Sequence, residues 1–245
     1  MTEVTSETSR QAIEDLIAIV DELETLHVRP RKHRHLELMH GLTWYTCDTA
    51  RSALQLIDAD QSGSAAVLVR VALEHGTLLQ WLVAEPENAE KYMQQKKFEA
   101  LKFKDVAERA GIMLPADLRG EYESYASLKA IQDLQQIRGM FDRLDPAGAL
   151  YLQYRYLSGY IHPSMKTTGR YTHIDGDGLA LMSEPAPAPA RAILYTLAMA
   201  LAFAVAPYVD LIHNKPYKSR MNRISDAASV PLWATADGKP PKSRT

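Results

Sequence analysis

The sequence predicts an all-α protein, a helical bundle of six to eight helices with at most one small β-hairpin. Three observations carry this. Apolar residues recur at spacings of three to four along most of the chain, sustained two-residue alternation is almost absent, and one eighteen-residue run, 192–209, carries no formal charge. That run reaches the lower limit for a membrane span. It is rich in alanine, contains Pro207 and lies between Arg191 and Asp210, which fits the centre of a bundle better.

Composition narrows the function classes. A chain of 245 residues can bury a sizeable core, and 46% hydrophobic residues with a net charge of -2 argue against wholesale disorder. The same near-neutral charge gives no global attraction to nucleic acid, so any such contact must come from a local basic patch. The single cysteine, Cys47, excludes an internal disulfide framework and suits a reducing compartment. Residues 1–10 lack an apolar core behind a basic start. A cytoplasmic protein without membrane attachment is expected.

Residues 8–27 place Ile13, Ile17, Val20 and Leu23 on one face of a first helix. The basic run 29–35, broken by Pro30, reads as a solvated linker or as a phosphate-contacting patch. A second helix is expected over 35–59. The turn 58–64 follows, with Ser62 or Ser64 as cap for a third helix over 65–84. On that helix Arg70 and Glu74 stand four apart and can pair, either as an internal brace or as a support for a site elsewhere. Residues 87–110 form a charged helix whose Lys96, Lys97, Lys102 and Lys104 are interleaved with acids, as on a solvated face. Shorter helices are expected over 117–128 and 132–144. After a hairpin or ordered loop over 171–181, the stiff run 185–189 leads into the uncharged helix. Residues 1–214 read as a single helical domain, and 215–245, rich in proline, lysine and serine, as an extended or disordered tail that Trp233 could anchor.

The stretch with most chemistry is 151–164, YLQYRYLSGYIHPS. In one helix running from Pro146 to Pro163, Arg155 and His162 share a face with Tyr151 and Ser158, roughly 10 Å apart along the axis at about 1.5 Å per residue. Leu150, Tyr154, Leu157 and Ile161 make the opposite, core-facing stripe. Arginine can bind phosphate and histidine can exchange a proton near neutral pH, so the spacing permits, without specifying, a catalytic pair of Arg155 and His162. Arg70, Glu74, Tyr151 and Ser158 are the candidate binding or supporting residues. No metal and no cofactor is expected. Glu37-x2-His40 has the spacing of di-iron helical proteins, but the second such pair they need is missing, and the sequence contains no phosphate-cradling glycine loop, CxxC pair or GxSxG turn.

Arg155-x6-His162 at a helix end resembles the Arg-x(4–6)-His signature of the HEPN superfamily (higher eukaryotes and prokaryotes nucleotide-binding). VRVALEHG at 69–76 with YLSGYIHPS downstream is similar to a bacterial HEPN-like branch of unassigned function, over roughly 36–214. Active HEPN nucleases usually carry a small polar residue just after the arginine, where this chain has Tyr156. The resemblance implies a homodimer with the motif helices near a two-fold axis. It also implies metal-independent endoribonuclease chemistry using Arg155 and His162. The other reading of the residues is a non-catalytic helical module that binds a nucleotide or a partner protein, with the polar stripe as a structural network. RNA or a partner protein is the expected partner.

Overall fold

The structure is a computed structural model describing residues 5–23, 33–135, 137–162, 164–175, 178–182, 185–186, 188–212, 215–235 and 240. Its helices are α1 (Ser6–Asp21), α2 (His33–Asp58), α3 (Ser62–Ala84), α4 (Asn88–Arg109), α5 (Ala116–Glu123), α6 (Gln132–Gln135), α7 (Ile137–Leu144), α8 (Ala149–Ser158), α9 (Met165–Thr168), α10 (Ala190–Leu211) and α11 (Lys215–Ala228). Strands β1 (Thr172–Asp175) and β2 (Gly178–Leu181) form an antiparallel hairpin, with Thr172 opposite Leu181. The all-α bundle with one small hairpin is therefore the fold; 132–135 and 137–144 are helical as expected, and residue 136 lies outside the described residues. The basic run 29–35 lies outside the described residues, apart from the backbone of 33–35.

The uncharged run is the axis of the bundle. From Ile193 to Val209, α10 is buried at nearly every position and packs against α1, α2, α3 and α11. By length and composition α10 and α3 are both apolar enough to cross a membrane, and both are packed within the bundle here. Small side chains let the two helices approach closely. A Cβ at Gly76 of α3 would sit 2.4 Å from the Ala200 carbonyl oxygen, so this crossing requires glycine.

Pro207 interrupts the hydrogen-bond ladder of α10. It has no N–H, so the Phe203 carbonyl four residues earlier loses its helical donor. Gln80 of α3, only 1% exposed, replaces that donor: its Nε2 reaches the Phe203 oxygen at 2.9 Å. The same amide donates to the Leu232 carbonyl at 3.1 Å and accepts from the Ala234 N–H at 3.2 Å. One buried side chain thus repairs α10 and fastens the C-terminal segment.

That segment corrects the expectation of an extended or disordered tail. Residues 215–228 form α11, and Met221, Ile224 and Ala228 bury against the core, followed by Val230 and Ala234. Tyr217, Met221, Ile224 and Ala228 recur at helical spacing, with Pro216 in the first turn where proline is tolerated. Lys218, Arg220, Arg223, Asp226 and two serines between them lower the mean hydropathy and hide the stripe. Trp233 packs against the core, as an anchor should. A smaller correction concerns α3: Gln61 occupies its cap position without a side-chain bond, and Ser62 is already inside the helix.

Two core polar groups look reactive in the sequence and are not. Cys47 is fully buried, and burial pushes its thiol up to about 12, so it stays protonated. His40 bonds through Nδ1 to the hydroxyl of buried Tyr208 at 2.7 Å. His75 differs. It stands edge-on to Tyr45 at 5.1 Å between ring centres, and its buried Nδ1 has no hydrogen-bond partner. Burial first, then the positive charge of Lys96, lowers its pKa.

Two expectations follow. Gln80→Leu keeps the volume but strands the Phe203 and Leu232 carbonyls, and should lower stability by about 2–4 kcal/mol, read as a reduced urea midpoint. His75 takes up its proton more readily unfolded than folded. Its contribution to stability is therefore present above about pH 6.5 and is lost as pH falls towards the lowered folded-state value. The difference in urea midpoint between pH 7.5 and 5.5 should be smaller in His75→Phe than in the wild type.

Candidate functional site

The central stretch is held at both ends by specific backbone chemistry. Asp145, at 8% exposure, accepts the Ala147 N–H on Oδ1 at 3.2 Å and the Leu150 N–H on Oδ2 at 2.8 Å. Gly148 takes a φ of +79°, a turn that L side chains rarely adopt. The helix therefore starts at Ala149 rather than at Pro146. It also ends earlier than the sequence implies, at Ser158. Ser158 Oγ donates to the Tyr154 carbonyl at 2.8 Å, and Ser164 Oγ donates to the Gly159 carbonyl at 2.8 Å. The chain then tightens, with Tyr160 N–H bonded to Leu157 O at 3.0 Å and Ile161 N–H to Ser158 O at 3.1 Å. Residue 163 is proline and has no N–H to give the Gly159 carbonyl four residues earlier, and Ser164 Oγ takes that place.

Despite the shorter helix, Arg155 and His162 open on the same groove. Both are exposed, and both line one groove of about 430 Å³ together with Tyr151, Ser158, Arg138 and Ser164. Leu150 and Leu157, at 7% and 0% exposure, hold α8 on the core while it packs on α3 and α7. Tyr154, expected on the core stripe, serves both sides: it lines the groove and packs against the core. Among the described residues Arg155 has neither an ion-pair nor a hydrogen-bond partner, and the His162 side chain likewise has none.

Arg70 and Glu74 do pair. Arg70 Nε lies 3.0 Å from Glu74 Oε1, close enough for charge attraction but off-line for a hydrogen bond. The pair does not reach Arg155 or His162. Arg70 Nη2 instead donates to the Tyr154 hydroxyl at 2.5 Å. Tyr154 is thereby fixed from below, with Phe141 at 5.4 Å and Tyr151 stacked at 6.0 Å and 19°.

Sequence reasoning missed Arg138, Ile137 and Ser164. Arg138 donates from Nε to Asp142 Oδ2 at 3.1 Å, and its guanidinium lies 5.2 Å from the centre of the Tyr151 ring. A signal was present: Met140, Phe141 and Leu144 bury one face of α7, which leaves an Arg138–Asp142 pair at helical spacing on the other. Tyr156 does not line the groove. Its hydroxyl stands 3.3 Å from that of Tyr160, whose pKa is raised by burial and by this contact, so Tyr160 stays protonated. The lysines of α4 are engaged locally: Lys96 with Glu99, Lys104 with Glu108, Lys97 over Tyr125 and Lys102 over Phe98.

The protein is thus an all-α bundle presenting a groove of two arginines, a histidine and paired tyrosines, a set of donors suited to an anion beside a planar group. It belongs to a family of unknown function, DUF5677, whose pattern spans residues 36–179, more than half of the chain and the whole of the groove. No curated protein and no solved structure matches it.

If Arg70 positions Tyr154, Arg70→Met should lower stability by about 1–3 kcal/mol, since a half-buried hydroxyl loses a charged donor. Glu74→Gln, which weakens only a partly exposed ion pair, should change it by less than about 1 kcal/mol. Thermal melts of the two variants give the comparison.

Proposed function

We propose that the protein is a HEPN-like module whose groove holds the phosphate of a nucleotide or of single-stranded RNA, acting as a cytoplasmic homodimer. One observation carries the reading: Arg155, a side chain made to bind phosphate, faces a groove with no counter-charge of its own, beside His162 and Arg138. An arginine with a structural role is normally paired, whereas a free one on a groove wall offers its five donors to a ligand. The Arg155/His162 spacing supports the HEPN-like assignment, and the resemblance supports the dimer. Near-neutral net charge fits a short ligand contact better than a long electrostatic track.

A second reading, metal-independent RNA cleavage, is favoured by the exposed, unpartnered imidazole of His162 in the same groove. In that chemistry the RNA 2′-oxygen bonds to its neighbouring phosphorus while His162 takes the hydroxyl proton. The bond from phosphorus to the 5′-oxygen breaks, and that oxygen takes a proton from water. The products are a cyclic 2′,3′-phosphate and a free 5′-hydroxyl, with Arg155 balancing the charge on phosphorus. Tyr156, in place of a small polar residue, favours binding over cleavage.

Labelled single-stranded RNA incubated with the protein in EDTA separates these outcomes. Binding should weaken roughly ten- to a hundredfold in Arg155→Ala, the effect of one charge-assisted contact. Cleavage, where present, should disappear in both Arg155→Ala and His162→Ala. Binding unchanged by Arg155→Ala would overturn the site, and a monomeric mass by light scattering at micromolar concentration would overturn the dimer.

A further inference from the structure

We infer that the groove contains a nucleobase subsite formed by the face of Tyr151 and the guanidinium of Arg138; this rests on the phosphate reading of the same groove and extends it. Tyr151 is braced from behind. Tyr154 stacks beside it, buried Phe141 lies 6.3 Å away at 57°, and Tyr154 is held by the Arg70 hydrogen bond above its Glu74 partner. The ring cannot retreat into the core, so it offers a fixed planar wall.

The opposite wall is movable. The Arg138 side chain is 62% exposed, and its plane is steered by the single bond from Nε to Asp142 on the same helix. Its guanidinium carbon stands 5.2 Å from the Tyr151 ring centre. A flat base between two flat groups needs about 3.5 Å to each, roughly 7 Å in all. Opening the pair by about 2 Å is within the rotamer freedom of an exposed arginine that keeps its carboxylate tether. Aromatic faces and guanidinium planes are the two surfaces on which unpaired bases stack, and such stacking tolerates any base while favouring the larger ones.

The remaining groove chemistry is consistent with a nucleotide unit. Arg155 and Ser158 lie one turn apart on α8, next to Tyr151. Because Ser158 spends its proton on the Tyr154 carbonyl, its oxygen shows only lone pairs to the groove. A ligand filling the groove must therefore offer an anion to Arg155, a donor such as a ribose hydroxyl to Ser158, and a plane to Tyr151. A free phosphate or a sugar phosphate meets only part of this.

The test compares fluorescein-labelled single-stranded hexaadenylate with a hexamer of the same ribose-phosphate backbone lacking bases, by fluorescence polarisation in EDTA. Hexaadenylate should bind roughly five- to a hundredfold more tightly, the range expected for one stacked base. Tyr151→Ala should abolish that preference by weakening hexaadenylate more than the abasic hexamer, and Tyr151→Phe should retain it. Arg138→Lys, an exposed change that keeps charge but not the plane, covers the case in which Tyr151→Ala fails to fold and should shrink the preference. Equal wild-type binding of the two hexamers overturns the base subsite while the phosphate reading stands. Binding of neither overturns both, and a preference that survives in Tyr151→Ala and Arg138→Lys places the base elsewhere and overturns the assignment.

Discussion

The structure depends on a proline placed where a helix can least tolerate one. Pro207 lies in the most buried helix, and the Phe203 carbonyl it leaves without a helical donor is far from water. A buried carbonyl without a partner would cost about 1–3 kcal/mol, a large fraction of what keeps a domain folded. Gln80 removes that penalty, and because its amide has a second N–H and an oxygen to satisfy, it also draws in Leu232 and Ala234. The C-terminal segment is thus part of the polar accounting of the core as well as its cover.

The same helix links this core to the groove. Gly76 and Gln80 of α3 face α10, one by the absence of a side chain and the other by hydrogen bonding. One and a half to two turns earlier, Arg70 and Glu74 of α3 face α8 and set Tyr154. The crossing of α3 on α10 therefore fixes the height of the groove floor. Only the outer wall, with Arg138 on the short helix α7 and Arg155 on the exposed side of α8, stands free of that crossing.

Much of the fold was legible in the sequence because helical periodicity survives where burial is continuous, as in α1, α2, α3 and α10. It failed where apolar anchors are few: Met221, Ile224 and Ala228 hold α11, yet Asn222, Arg223, Ser225 and Asp226 between them read as tail. At the site, Arg155, His162, Tyr151 and Ser158 were legible as one face and do line one groove. The straight helix assumed for them was not there: the chain tightens after Ser158, and side-chain spacing along a sequence does not show where the bonding pattern of a last turn changes. Arg138 was legible only as half of an Arg138–Asp142 pair on the exposed side of α7. Its place in the groove comes from the packing of α7 against α3 and α8, a contact between segments that no local pattern encodes.

The span of the family pattern sharpens this division. Residues 36–179 include α3, α7 and α8, and so carry every side chain of the groove. They leave out α1, α10 and α11, and α10 is the helix against which α3 packs most heavily. The groove residues are thus local to the family segment, while the rigidity of their support comes from elements outside it. A family segment separated from α10 would keep the Arg70–Glu74–Tyr154 contacts in its sequence but would lose the surface on which Gly76 meets Ala200 and Gln80 meets the Phe203 carbonyl. The groove therefore depends on the shape of α10 without being lined by it: a small side chain at Ala200 opposite Gly76, and one carbonyl left open for Gln80.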